Sequence, residues 1–225
     1  MYPVRLPLPI RTDRLVLRPW RSDHPDDRAV YRRMMGDPDV VRYLYDPVLD
    51  HDRSDAQLAD LTSTIAAPGG WMNLAVELVN VAGDVAGDVG GDVAGDVGGD
   101  VAGDVGGEAA GEAAPIGDVG LAWAGDDHRQ AEIGYKFLPG HRGHGYATEA
   151  AAALVEVALT GLGAHRVCGK LDGRNSGSAR VLERLGMRKE AHLVGSEWYK
   201  GGWADEVVYG VLADEWARRR SPGSG

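Results

Sequence analysis

One cysteine in 225 residues, Cys168, leaves no internal disulfide and suits a reducing compartment, so the cytoplasm is the expected location. It falls in an apparent strand, His165–Leu171, where a buried, inert thiol is expected rather than a nucleophile. No apolar run approaches the roughly 20 residues of a membrane span. The opening Met1–Pro7 reads as no apolar signal segment either, so no membrane partner is expected. Basic residues are outnumbered, 24 Lys and Arg against 34 Asp and Glu, and the formal charge of −10 argues against nonspecific nucleic-acid binding. The basic tail Arg218-Arg219-Arg220 is too short to reverse that. Also missing are the Walker Gly-Lys-Ser/Thr and the dinucleotide Gly-x-Gly-x-x-Gly, which excludes two common phosphate-binding loops. The length fits one domain, residues 1–225, with a sizeable core.

The negative charge is unevenly placed. Val81–Pro115 is a tetrapeptide repeat, Val-Ala/Gly-Gly-Asp fading into Ala-Ala-Gly-Glu, with eight carboxylates and no basic or aromatic residue. Without those eight the formal charge is −2. Such a segment cannot bury enough to offset its ordering entropy, and it reads as a solvated loop inserted between two strands. Calcium binding by the spaced aspartates is the sharper alternative, but its period is four where calcium repeats of the Gly-Gly-x-Gly-x-Asp type run to nine.

Ala131–Leu162 organises the rest. Ala131–Leu138 mixes β-branched and aromatic residues and stops at Pro139-Gly140, which predicts a strand. Arg142-Gly143-His144-Gly145-Tyr146-Ala147 follows, then an alanine-rich helix running to Gly161. Two glycines let successive N–H groups point one way at the positive end of that helix, a cradle for phosphate oxygens, and Arg142 adds a fixed charge. His141 and His144 lie in the turn with no acidic or cysteine partner nearby in sequence, so no metal site is expected. Glu149, in the first helical turn, answers the helix dipole.

Around this unit the pattern predicts strands at Arg14–Arg18, Trp71–Val79, Ile116–Trp123, His165–Leu171, Arg188–Val194 and Glu206–Leu212. Helices are predicted at Asp26–Met35, capped by Ser22 or Asp23, from Asp37-Pro38, over Asp55–Ile65, and over Arg174–Leu185 with Gly186 as its C′ stop. Trp198, Tyr199 and Trp203 line an acceptor pocket or pack a hairpin on the core. Asn175 and Ser178 stand at the mouth of the last helix, where simple capping is one reading.

Arg-x-x-Gly-x-Ala after Glu-Ile-Gly-Tyr, then Asn175-x-x-Ser178 and Leu185-Gly186-Met187, resembles the two motifs of the GNAT superfamily of acetyl-coenzyme A-dependent N-acetyltransferases. Thr12–Trp20, Asp37–Leu44 and Lys200–Glu206 look like the branch that holds the ribosomal-protein N-terminal acetyltransferases. The resemblance spans nearly the whole chain except the repeat. It implies a single-domain α/β fold, with a mixed, mostly antiparallel central sheet flanked by helices.

It also implies a chemistry, in which an amine attacks the thioester of acetyl-coenzyme A with no covalent enzyme intermediate. By resemblance, the backbone of Phe137 and Leu138 holds the pantetheine arm beside a splayed neighbouring strand. The N–H groups of Arg142, Gly143, His144, Gly145, Tyr146 and Ala147 hold the pyrophosphate. Glu132 is the candidate base, with a structural place facing a cation or solvent as the alternative. Ser178 is the candidate acid for the thiolate, with Asn175 orienting cofactor or serine. Other branches carry a tyrosine four residues before the glycine of their Gly-Phe pair, and here that position is Leu182. The acceptor is left open among a peptide N-terminus, a sugar amine and a small metabolite amine, and a homodimer is left open too. The rival reading is a noncatalytic acyl-coenzyme A-binding module whose acidic loop docks a partner.

Overall fold

A computed structural model describes residues 4–61, 64–65, 70–79, 113–123 and 129–220. In chain order these form β1 (Val4–Arg5), β2 (Ile10–Arg11), β3 (Leu15–Pro19), α1 (Pro25–Met35), α2 (Pro38–Val41), α3 (His51–Asp60), β4 (Thr64–Ile65) and β5 (Trp71–Leu78). Then come β6 (Gly117–Trp123), β7 (Gln130–Phe137), α4 (Tyr146–Glu156), β8 (Arg166–Asp172), α5 (Ser176–Arg184), β9 (Arg188–Tyr199), β10 (Gly202–Leu212) and α6 (Ala213–Arg220). A 3-10 turn at Pro139–His141 precedes α4, and a π turn at Val157–Gly161 ends it. The expected repeat and its calcium alternative lie almost entirely outside the described residues, which resume at Ala113.

Eight strands make one sheet in the order β2-β3-β5-β6-β7-β8-β10-β9, while β1 and β4 pair separately. Every pairing is antiparallel except β7 with β8. This is the mixed, mostly antiparallel sheet flanked by helices that the resemblance implied. The main core holds Leu15, Leu74, Leu121 and Ile133 of the sheet against Ala150, Ala151, Leu154 and Val155 of α4. Alanines on α4 let the helix lie close to the strands. A second cluster joins Tyr31, Met34 and Met35 of α1 to Val40, Val41, Leu58 and Leu138.

Several boundaries differ from the sequence expectation for local reasons. His24 is the cap of α1, not Ser22 or Asp23, because Pro25 supplies the preset first helical position. Asp50 caps α3 through Arg53 N–H, so that helix starts a turn before Asp55, and Thr64–Ile65 pairs with β1 instead of extending it. Lys200 and Gly201 both take positive φ, which turns β9 and β10 into one long hairpin and extends the strands expected at Arg188–Val194 and Glu206–Leu212. Gly186 stops α5 as expected, with φ +76° and Met187 N–H bonded to Leu182 O at 3.1 Å. The helix α6 was not expected. Its Trp216 donates to Glu156 Oε2 at 2.6 Å and ties it to the end of α4.

Candidate active site

Pairing between β7 and β8 runs only from Gln130–Arg166 to Glu132–Cys168, although both strands continue for several residues. Beyond that point β8 follows β10 through Asp172–Glu206, and β7 follows β6. The parallel neighbours therefore splay, leaving a gap at Ile133–Phe137. Two cavities adjoin there. One of about 430 Å³ is walled by the loop before α4, the first turn of α4 and one face of α5. The other, about 580 Å³, is walled by β5–β8, α1 and the β9–β10 hairpin. Tyr135, Lys136, Tyr43 and Leu44 line both.

The smaller cavity contains the glycine cradle. Gly143 and Gly145 have φ of +84° and +85°, a backbone that L side chains rarely adopt, and Gly145 caps α4. The N–H groups that begin α4 have no carbonyl one turn back, so they remain free for an anion. A Cβ on Gly143 would meet nothing within 4 Å, so the cradle is open above it. Arg14 braces the loop: Nη1 donates to His144 O at 3.0 Å and Nε to Glu149 Oε2 at 2.7 Å. Thr12 also donates to Glu149, at 2.6 Å. Burial pushes the Glu149 carboxyl up, and the bonds from Thr12 and Arg14 outweigh it, leaving it below its usual value. Glu149 is thus a clamp between the β2–β3 turn and α4, more than an answer to the helix dipole.

Of the expected cradle residues, Arg142, Gly143, Gly145, Tyr146 and Ala147 line this cavity, as do Phe137, Asn175 and Ser178. His144 does not; its ring stacks on Tyr146 at 5.6 Å. Leu138 does not either, since its N–H is bonded to Ile116 O and its carbonyl to His141 N–H, and its side chain sits in the second core. The Leu138 N–H is thus committed to β6's side, and its carbonyl keeps one lone pair beyond the His141 bond. Arg142 is partly committed as well, with Nε on Phe137 O at 3.2 Å. Thr148 was not singled out in the sequence. It lines the cavity, and its Oγ1 is buried without a hydrogen-bond partner among the described residues.

Asn175 caps α5, its Oδ1 accepting Ser178 N–H at 3.0 Å. Ser178 is fixed from the other side by Tyr135, whose Oη lies 2.9 Å from Ser178 Oγ and 3.1 Å from Ser178 O. Burial pushes the Tyr135 phenol up to about 12, the serine bond opposing it. Leu182 is core, 1% exposed, and packs against Gly169.

Seven carboxylates and two lysines line the larger cavity. Glu132 and Lys136 share a face of β7. Glu132 pairs with Lys170 at 3.2 Å, and Asp118 with Lys136 at 2.8 Å. Asp172 is held by Arg174 and Tyr199, the Arg174 bond first among the causes that bring its carboxyl down to about 2. Three carboxylates on the hairpin side, Asp46, Glu197 and Glu206, have no ion-pair partner among the described residues, and Tyr45 bonds Glu197. The rings of Tyr45 and Tyr199 stand 5.3 Å apart beside them. Glu132 thus faces both a cation and the cavity, and Tyr199 lines the cavity. Trp198 and Trp203 pair across the exposed hairpin, centroids 5.2 Å apart, and line neither cavity. Among the described residues no group of three or more His, Cys, Asp or Glu side chains could hold a metal ion. Cys168 is buried, which pushes its thiol up.

A family model described as an acetyltransferase (GNAT) domain matches residues 14–188. The uncharacterized N-acetyltransferase YnaD of Bacillus subtilis (strain 168) is 36% identical over 90 residues, 38% of this chain and 50% of that protein. The chain spans about half the length of the curated relatives it matches. Among solved structures, a GNAT-family acetyltransferase from Bacillus anthracis superposes with a TM-score of 0.70 at 22% identity, covering 92% of this chain and 100% of that one. The spermidine N-acetyltransferase of Vibrio cholerae, solved with CoA and spermine, gives 0.61 at 16% identity, covering 92% and 99%. At such identities the likeness is one of fold.

Proposed function

Because the chain belongs to the GNAT acetyltransferase family, we propose that it transfers the acetyl group of acetyl-coenzyme A to a primary amine by direct attack on the thioester. One observation carries the reading: an anion cradle and a carboxylate-lined basin meet where β7 is no longer paired with β8. The residues present suit the co-substrate. The free N–H groups at the start of α4, the open space above Gly143 and the Thr148 hydroxyl, without a partner among the described residues, fit a pyrophosphate. Phe137 lies where a pantetheine arm would run beside β7. We read residues 1–225 as one such domain, with the 81–115 repeat as an insertion.

The amine nitrogen forms a bond to the thioester carbon, and the carbon–sulfur bond breaks with its electron pair leaving on sulfur. The proton lost from nitrogen passes to Glu132, directly or through water, since Lys170 holds that carboxylate in the basin. Ser178 donates to the departing sulfur.

The basin also bears on the acceptor. Its carboxylates Glu197 and Glu206, which have no ion-pair partner among the described residues, lie beside the Tyr45 and Tyr199 rings and favour a small amine that carries a second positive charge. The Vibrio cholerae protein bound to spermine has the same fold, which agrees with this reading. Thiol release from acetyl-coenzyme A, followed with cadaverine and with aminopentanol, tests it. The diamine is expected to give about tenfold higher kcat/KM, with the advantage shrinking in Glu206→Gln. A clear preference for a peptide N-terminus would instead favour the ribosomal-protein branch, which Thr12–Trp20 and Lys200–Glu206 resemble. Binding without thiol release from any amine would favour the noncatalytic acyl-coenzyme A module.

A further inference from the structure

Resting on that acetyl-transfer reading, we propose that Tyr135 is a positioning residue for the leaving-group end of the reaction: it orients the Ser178 hydroxyl so that the serine proton points at the departing sulfur.

A serine hydroxyl has one proton to give and two lone pairs to receive. Tyr135 Oη reaches both Ser178 Oγ, at 2.9 Å, and Ser178 O, at 3.1 Å. Two arrangements satisfy these distances. If the phenol donates to Oγ, the serine proton is free for the cavity. If the phenol donates to the carbonyl, the serine proton is taken up by the phenol oxygen and nothing is left for sulfur. The location of the Tyr135 proton therefore decides whether Ser178 can act. Asn175 cannot make that choice, because its side chain holds the backbone N–H of Ser178 and not the hydroxyl.

Tyr135 does not itself give up its proton. Its phenol is pushed to about 12 by burial, whereas an ordinary thiol titrates near 8.5. A thiolate is too weak a base to take a proton from such a phenol. The sulfur therefore leaves as a thiolate bonded to Ser178 Oγ–H and takes its proton from water afterwards. The same phenol remains protonated across the neutral range, so it keeps the proton whose placement, on Oγ or on the carbonyl, sets what Ser178 can do. A hydroxyl at this position of the strand also fits the local packing. On α5, Leu182 is sealed in the core and offers no polar group to the gap. The β7–β8 gap lets a strand residue line both cavities instead.

The test is a double-mutant cycle in kcat, with calorimetric binding of acetyl-coenzyme A as the second readout. Tyr135→Phe keeps the ring and is expected to lower kcat about tenfold, the scale of one hydrogen bond. Binding is expected to stay within about twofold. In a Ser178→Ala background the same change should have no further effect, because the group it orients is gone. An equal loss in both backgrounds would mean that the phenol is merely structural, and would overturn the proposal. So would an unchanged kcat in Tyr135→Phe, or loss of acetyl-coenzyme A binding in that variant. A wild-type protein that binds acetyl-coenzyme A but acetylates no amine would overturn the transfer reading as well.

Discussion

Gly145→Glu is expected to weaken acetyl-coenzyme A binding by at least about a hundredfold, roughly 2.7 kcal/mol. Three effects add. The residue has φ +85°, where an L side chain costs about 1–2 kcal/mol. The new carboxylate stands at the start of α4, where the proposed function places the pyrophosphate, and two anions there repel each other. The new Cβ also lies 3.4 Å from Arg14 Nη2, and the glutamate would compete for the guanidinium that braces His144 and Glu149. Gly143→Ala separates strain from charge, since its φ is as unfavourable but its Cβ meets open space. It should cost only several-fold. Calorimetric titration of acetyl-coenzyme A into the three proteins, with thermal melts to show that each is folded, measures the series. Full binding by Gly145→Glu would remove the anion cradle from the site.

The turn geometry before α4 was readable in the sequence because it is local. A strand stop, two glycines and an alanine-rich helix fix where the N–H groups point, whatever packs around them. The capping role of Asn175 was readable for the same reason. What escaped depends on distant partners. Tyr135 meets Ser178 across 43 residues, and only the early end of the β7–β8 pairing opens the gap between them. Alternation along Glu-Ile-Gly-Tyr-Lys-Phe places Tyr135 opposite Glu132 on the strand, a signal that was present but could not name a partner. Thr148 carried no signal beyond following the cradle. Glu149 fitted a helix-dipole role, yet Arg14 and Thr12, some 135 residues away, define what it does. For Tyr135 and Glu149 the deciding partner lies far away in sequence, where a local reading does not reach.

The same kind of long-range contact sets the largest expected loss of stability. Arg18→Met should destabilise the fold by about 3–5 kcal/mol, the usual cost of leaving buried charges without their partner. Arg18 of β3 reaches Asp27 of α1, with Nη2 on Oδ1 at 2.6 Å and Nη1 on Oδ2 at 2.7 Å. It also reaches Glu77 of β5, with Nε on Oε1 at 2.7 Å. The Asp27 side chain is fully buried, so solvent cannot replace the guanidinium, although Arg21 retains an Asp27 contact at 3.3 Å. Burial raises the Asp27 carboxyl and the bonds from Arg18 and Arg21 outweigh it, so its folded value lies below the ordinary one. A depressed carboxyl contributes stability above its unfolded pKa, near 3.9, and loses it as pH falls through the folded value. In Arg18→Met the burial penalty is opposed by Arg21, with the His24 ring 3.8 Å from Asp27 Oδ1, and protonation relieves the stranded charges. The gap between wild type and variant should therefore be widest near neutral pH and narrow as pH approaches 4. Urea melts across that range measure it. A gap that stays constant would mean that lost packing, and not stranded charge, explains the cost. Because the network pins α1 beside the sheet, and Tyr31 and Met35 of α1 wall the larger cavity, the surviving folded variant should also bind its amine less tightly while keeping acetyl-coenzyme A affinity.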